Sequence, residues 1–167
     1  MKFETGDWVF VKGSGWISKV IKAVTFSKVS HVGIMFNDSM IFETDIKWGK
    51  AQMNHIRKYK PEEIEVYRIP HLSWEAKYKL MDLCKLYEGR PYSKLDILTN
   101  FIFSPLHPKL RGKLTTLIGN KRFQICSEQV CDLTWLATKL DYLDCSEGVT
   151  PDDLYSIAQK HLTKVEI

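Results

Sequence analysis

Two apolar runs, HVGIMF at 31–36 and MIFETD at 40–45, stand on either side of Asn37-Asp38-Ser39. Those three residues are turn formers, so the stretch reads as a β-hairpin. A hairpin constrains the chain more than a lone strand does, because its turn sets the pairing register. If Phe36 pairs with Met40, Gly33 faces Glu43 and His31 faces Asp45. Side chains alternate along a strand, which puts His31, Gly33, Glu43 and Asp45 on one face. A slip of one residue would send Glu43 to the other side. Glu43, flanked by Phe42 and Thr44, is the carboxylate preferred to orient the imidazole, with Gly33 leaving room between them. Asp45 lies nearer the strand's exit, and a solvated acidic pair on a strand end is the plain alternative.

The remaining chain supplies more strands before the hairpin's sheet is complete, then helices. Residues 8–12 and 64–69 read as strands, and a further extended piece is expected around 51–56 in an otherwise irregular segment. Residues 16–26 have helical periodicity, with Ile17, Val20, Ile21 and Val24 inward. Ser73 is read as the N-cap of a helix running to about Glu88, stopped by Gly89. A short helix is expected over 96–103. The interval 104–122, with five Lys/Arg residues, reads as a basic surface excursion or a flap. Thr150-Pro151-Asp152-Asp153 combines a capping threonine, a proline at the first position and acids in the first turn, so it starts a helix to about Leu162. Strands first and helices later predict an α+β chain with an antiparallel sheet packed on helices.

At 167 residues the chain is expected to form a single domain over 1–167. A net charge of +4 permits an anionic substrate or surface and is too weak to argue for nucleic acid, so no nucleic-acid partner is expected. No stretch approaches the roughly 18 apolar residues of a membrane span, and the first ten residues do not resemble a signal peptide. The four cysteines, 84, 126, 131 and 145, show neither a CxxC pair nor zinc-like Cys/His spacing. No metal or other cofactor is therefore expected. The chain needs no disulfide framework, and a reducing, cytoplasmic location follows from that reading.

One of those cysteines closes a short apolar run. In FQICSEQVCDL, Val130, Leu133, Ala137 and Leu140 recur at helical steps, and Cys126 lies four residues before the first of them. A helix starting near Cys126 puts the thiol on its first turn, where open N–H groups and the positive end of the helix dipole favour a thiolate. A catalytic thiol needs a base and a third group that orients the base. Among the five histidines, His31 alone begins an apolar strand directly after a polar loop. On its own, Cys126 would be a small core residue, and Cys131 is read as packing.

The segments Gly6-Asp7, Ser30-His31-Val32-Gly33-Ile34, Phe42-Glu43, Gly89-Arg90-Pro91-Tyr92, Cys126-Ser127-Glu128-Gln129-Val130 and Thr150-Pro151-Asp152-Asp153 together resemble the circularly permuted branch of the NlpC-type papain-fold superfamily, the YiiX-like proteins. His31 precedes Cys126, which is the permuted order. The resemblance implies a permuted papain-like fold with Cys126 as nucleophile, His31 as base and Glu43 as the residue fixing the ring. It also places Tyr92 near the nucleophile, where its hydroxyl would help bind an oxyanion. Glutamate stands where the family often has histidine or asparagine. The expected function is a cysteine hydrolase of the amidase or peptidase type, acting on a peptide or peptidoglycan-like substrate. The alternatives are an acyl-lipid ester or thioester hydrolase or acyltransferase, and a non-catalytic peptide- or lipid-binding domain.

Overall fold

The computed structural model describes residues 3–13, 18, 22, 27–45, 48–91, 125–143, 145 and 149–166. Six strands form one antiparallel sheet: β1 (Trp8–Val11), β2 (His31–Met35), β3 (Met40–Asp45), β4 (Lys50–His55), β5 (Ile64–Arg68) and β6 (Thr163–Val165). Their order across the sheet is β4-β3-β2-β1-β5-β6. Three α-helices accompany it among the described residues: α1 (Trp74–Tyr87), α2 (Cys126–Thr138) and α3 (Pro151–His161). The architecture is the α+β arrangement expected from the sequence. Ser18 and Lys22 are helical, while the rest of the helix expected over 16–26 lies outside the described residues, as do the helix expected over 96–103, the basic interval 104–122 and Tyr92.

The hairpin has the register that its turn demands. The Phe36 N–H donates to the Met40 carbonyl at 2.8 Å, and Ile34 pairs with Phe42 and Met35 with Ile41. The Asn37 side-chain oxygen accepts from the N–H groups of Ser39 and Met40, which closes the turn. Helix starts follow their caps. Ser73 Oγ accepts the Ala76 N–H at 3.2 Å. Thr150 and Asp153 form a reciprocal capping box at α3. One strand was not expected: β6 follows α3 immediately and adds to β5 through Val66↔Val165 and its neighbours. Three residues are too few to display alternation, and the sheet edge recruits them.

Alternation divides the core between the two faces of the sheet. Trp8, Phe10, Val32, Ile34, Phe42 and Tyr67 face the helices and pack with Leu80, Cys84, Val130, Leu133 and Leu154. Val9, Val11, Met35, Ile41 and Val66 face the opposite way, toward Ile56 and Tyr59. Each large apolar side chain so buried contributes about 1.5–3 kcal/mol relative to exposure. The Gly6-Asp7 motif proves structural: the Asp7 carboxylate takes a two-pronged bond from Arg68, both contacts at 2.8 Å. It sits at the start of β1, whereas His31 pairs with Val11 at its end.

The cysteine reading needs correction. Cys131 and Cys145 form a disulfide, with Cα atoms 5.5 Å apart, and only Cys84 and Cys126 are free. Cys131 therefore does more than pack: it ties the middle of α2 to the loop leading into α3. Bond-compatible spacing depends on how that loop folds back, which cysteine counting does not reveal. A structural disulfide also removes the cysteine argument for a reducing location. Among the described residues, no helix is long and apolar enough to cross a membrane.

Candidate active site

His31 is the first residue of β2, and its ring meets a fully buried carboxylate. Its Nε2 lies 2.8 Å from Glu43 Oε2, and the Glu43 side chain is 0% exposed. Glycine is required nearby. A Cβ on Gly33 would come within 2.7 Å of Ile41 Cδ1 and 3.2 Å of Glu43 Cβ. The short β2 residue thus lets β3 side chains lie close on the face that carries His31.

Sequence reasoning missed most of what holds Glu43. The same Oε2 accepts the Tyr59 hydroxyl at 2.6 Å. Oε1 accepts Asn54 Nδ2 at 2.8 Å and Lys58 Nζ at 2.6 Å. Lys58 also reaches Asp45 Oδ2 at 3.3 Å, so the second hairpin carboxylate is paired there. Asn54 comes from β4, in register beside Ile41. Lys58 and Tyr59 come from the end of a 3₁₀ turn, Ile56–Lys58, which folds back over the sheet. No periodicity marks such a turn; the only sequence signal was the polar character of the segment.

Cys126 approaches from the helical side. Ile125 precedes it at the N-cap and offers no side-chain acceptor, while Glu128 accepts the Ile125 N–H at 3.2 Å. Two buried polar bonds fix the first turn of α2. Ser127 Oγ donates to the Val149 carbonyl at 2.5 Å, and Thr44 Oγ1 donates to Gln129 Oε1 at 2.5 Å. Thr44 is the neighbour of Glu43, so the helix start is locked to the strand that carries the carboxylate. The Cys126 side chain stands close enough to the His31 ring to act on it electrostatically. With Nε2 turned to Glu43, Nδ1 is the nitrogen left for the thiol.

Electrostatics follow from this row of groups. Burial acts to discharge His31, but Cys126 and then Glu43 overcome it and hold the imidazole protonated up to about 10. Burial would likewise raise Glu43, yet the hydrogen bond and charge of His31, with Lys58, pull it down to about 2. The Tyr59 phenol is pushed upward by burial and by the charges of Glu43, Asp45 and Cys126. At the other free cysteine, burial alone pushes the Cys84 thiol up to about 12.

Of the residues singled out in the sequence, Cys126, His31 and Glu43 come together. Tyr92 belongs to the part of the chain not described, but the residues before it are pinned to β4. Gly89 N–H donates to the Ala51 carbonyl and Ala51 N–H to the Arg90 carbonyl, both at 2.8 Å. Pro91 bridges to Lys50, the partner of Asp45.

No protein-family model matches the chain, and no curated protein matches it. A similar solved structure is that of metalloprotein YiiX from Escherichia coli O157:H7, of the DUF1105 group. The likeness has a TM-score of 0.69 at 20% identity and covers 99% of this chain and 97% of that one. It shows that the chain has a YiiX-like fold.

Proposed function

We propose that the protein is a cysteine hydrolase of the amidase or peptidase type, built on a permuted papain-like domain. The single observation that carries this reading is the row Cys126, His31, Glu43, in which the imidazole bonds the buried carboxylate through Nε2 and feels the Cys126 sulfur as well. The Cys126 thiolate attacks a carbonyl carbon and forms the C–S bond. His31 passes its proton to the leaving amine as the C–N bond breaks. Water then attacks the thioester with His31 as base, the C–S bond breaks, and the acid leaves. Glu43 keeps the ring in place and its charge compensated throughout. Open N–H groups in the first turn of α2 suit the oxyanion, and Tyr92 is the proposed second donor. A peptide amide, as in cell-wall peptides, is the proposed substrate class.

The similar E. coli protein is named a metalloprotein, and the donor set of this chain does not suit that chemistry. Both Glu43 oxygens are already taken by four donors, one of them the Lys58 ammonium. Among the described residues, no three His, Cys, Asp or Glu side chains converge to hold a metal ion. These residues do not fit a metal.

The experiment is pH-dependent alkylation with iodoacetamide, read by peptide mass, beside mass detection of an acyl adduct from an activated ester. Cys126 is expected to react near neutral pH and to carry the acyl group. His31→Ala should lower both by about 10²-fold or more. An alkylation rate at Cys126 that His31→Ala leaves unchanged would sink the proposal.

A further inference from the structure

The cation position of this site is already filled by the chain itself. Lys58 Nζ stands 2.6 Å from Glu43 Oε1 and 3.3 Å from Asp45 Oδ2, between two carboxylates of the same strand. It lies 4.9 Å from the Tyr59 ring centroid, over its face, while the Tyr59 hydroxyl bonds the other Glu43 oxygen. Consecutive residues of one turn therefore grip both oxygens of one buried carboxylate. The Lys58 side chain is only 30% exposed, against 0% for Glu43 and 21% for Asp45, so solvent screens the contact weakly.

Two like charges two residues apart on one strand face repel when they are buried near each other. A divalent metal is one way to hold such a pair ionised; an internal ammonium is another. We propose that Lys58 is the resident cation of this site, a positioning residue that keeps Glu43 ionised and aimed at His31 and occupies the place a divalent metal would need. The use made of Glu43 rests on the thiol–imidazole reading above; the cation arrangement stands without it. Around Glu43 the charged and titratable groups are His31 from β2, Asp45 from β3, Lys58 and Tyr59 from the turn, and Cys126 from α2. Lys58 acts directly on the carboxyl and reaches the imidazole only through it.

The test is the titration of the Glu43 carboxyl carbon by NMR in the full chain, as wild type, Lys58→Met and Lys58→Arg. The midpoint is expected to rise by at least about one pH unit in Lys58→Met, the size typical of losing an adjacent opposite charge. Lys58→Arg should keep it low, since a guanidinium restores the charge. If Lys58→Met does not fold, Lys58→Gln removes the charge while keeping a hydrogen-bond donor. An unmoved midpoint in the neutral variants overturns the proposal. So does stoichiometric zinc binding by the wild type that shifts the Glu43 resonance. Loss of Cys126 alkylation in the wild type, with the titration as expected, would instead strike only the hydrolase reading.

Discussion

Two carboxylates in this molecule live in similar cages beside different neighbours. Glu43 is held by Lys58, Tyr59, Asn54 and His31. Glu65, on β5, is held by Lys12 at 2.8 Å, Lys164 at 3.1 Å, and the hydroxyls of Tyr155 at 3.0 Å and Tyr67 at 3.4 Å. In both cases burial pushes the acid up and the surrounding donors win, bringing it to about 2. A strongly held acid is thus no mark of chemistry by itself. Asn54 stands where Glu65 has a second tyrosine, but the difference that bears on chemistry is at the remaining position. Where Glu65 has another lysine, Glu43 has an imidazole, and beyond that imidazole stands a thiol.

Replacing each acid in turn should separate the two cages most sharply. Glu43→Gln is expected to destabilise the fold by about 3 kcal/mol, since it leaves Lys58 facing a neutral buried partner. It should also slow Cys126 acylation by about 10-fold or more. Glu65→Gln should cost about 1 kcal/mol or less, because its lysines are largely solvated, and should leave acylation unchanged. Chemical denaturation and ester-burst kinetics check both. Equal losses of acylation would erase the distinction.

Opening the Cys131–Cys145 disulfide should affect the two cages unequally. The bridge spans 14 residues and runs from the helix that carries Cys126, so a Cys131→Ser/Cys145→Ser chain is expected to lose about 3 kcal/mol. The Cys126 alkylation rate should change with it. The Glu65 carboxyl resonance should move less, because its cage meets the bridged segment only through Tyr155 on α3, whereas Cys126, beside the other cage, stands on α2 itself.

The smallest effect is in pH dependence. Both acids are lowered, so their contributions to stability are present above about 4.5 and are lost as pH falls toward about 2, and acid cannot tell the cages apart. Base can. His31 is raised, so its contribution is complete below about 6.5 and is lost as pH rises through about 10. The Glu65 cage holds no imidazole; the base it raises is Lys164, whose ordinary value is already higher, so its contribution outlasts that of His31 as base is added. Cys126→Ser should lower the His31 midpoint by about one pH unit or more, read from its ring protons.

What the sequence made legible follows the range over which each signal acts. The hairpin register could be read because Asn37-Asp38-Ser39 allows one tight pairing, and Ile34↔Phe42 obeys it. Ser73 and Thr150 were readable as caps because a cap acts over three residues. The meeting of His31 with Glu43 followed from the register. By contrast, Lys58 and Tyr59 reach Glu43 across a 3₁₀ turn that no pattern announces. Cys131 finds Cys145 only once a loop has folded back. β6 exists because an edge was waiting for it. The thiol's approach to His31 was legible only through the order of several motifs, since Cys126 and His31 lie 95 positions apart in sequence.

The attachment of Gly89 and Arg90 to Ala51 has a consequence for how the protein behaves in company. β4 and β6 are the two outer strands, and an outer strand with open N–H and C=O groups is a template for joining another chain. On β4 both outward backbone groups of Ala51 are already occupied, and Pro91, which has no N–H to donate, sits opposite Lys50. On β6 only three residues pair, two of them exposed, including Lys164. Each border of the sheet is therefore blunted, one by the chain's own passing segment and one by brevity and charge. At Lys50 and Ala51, and along the short β6, the sheet offers no open border for another strand to join.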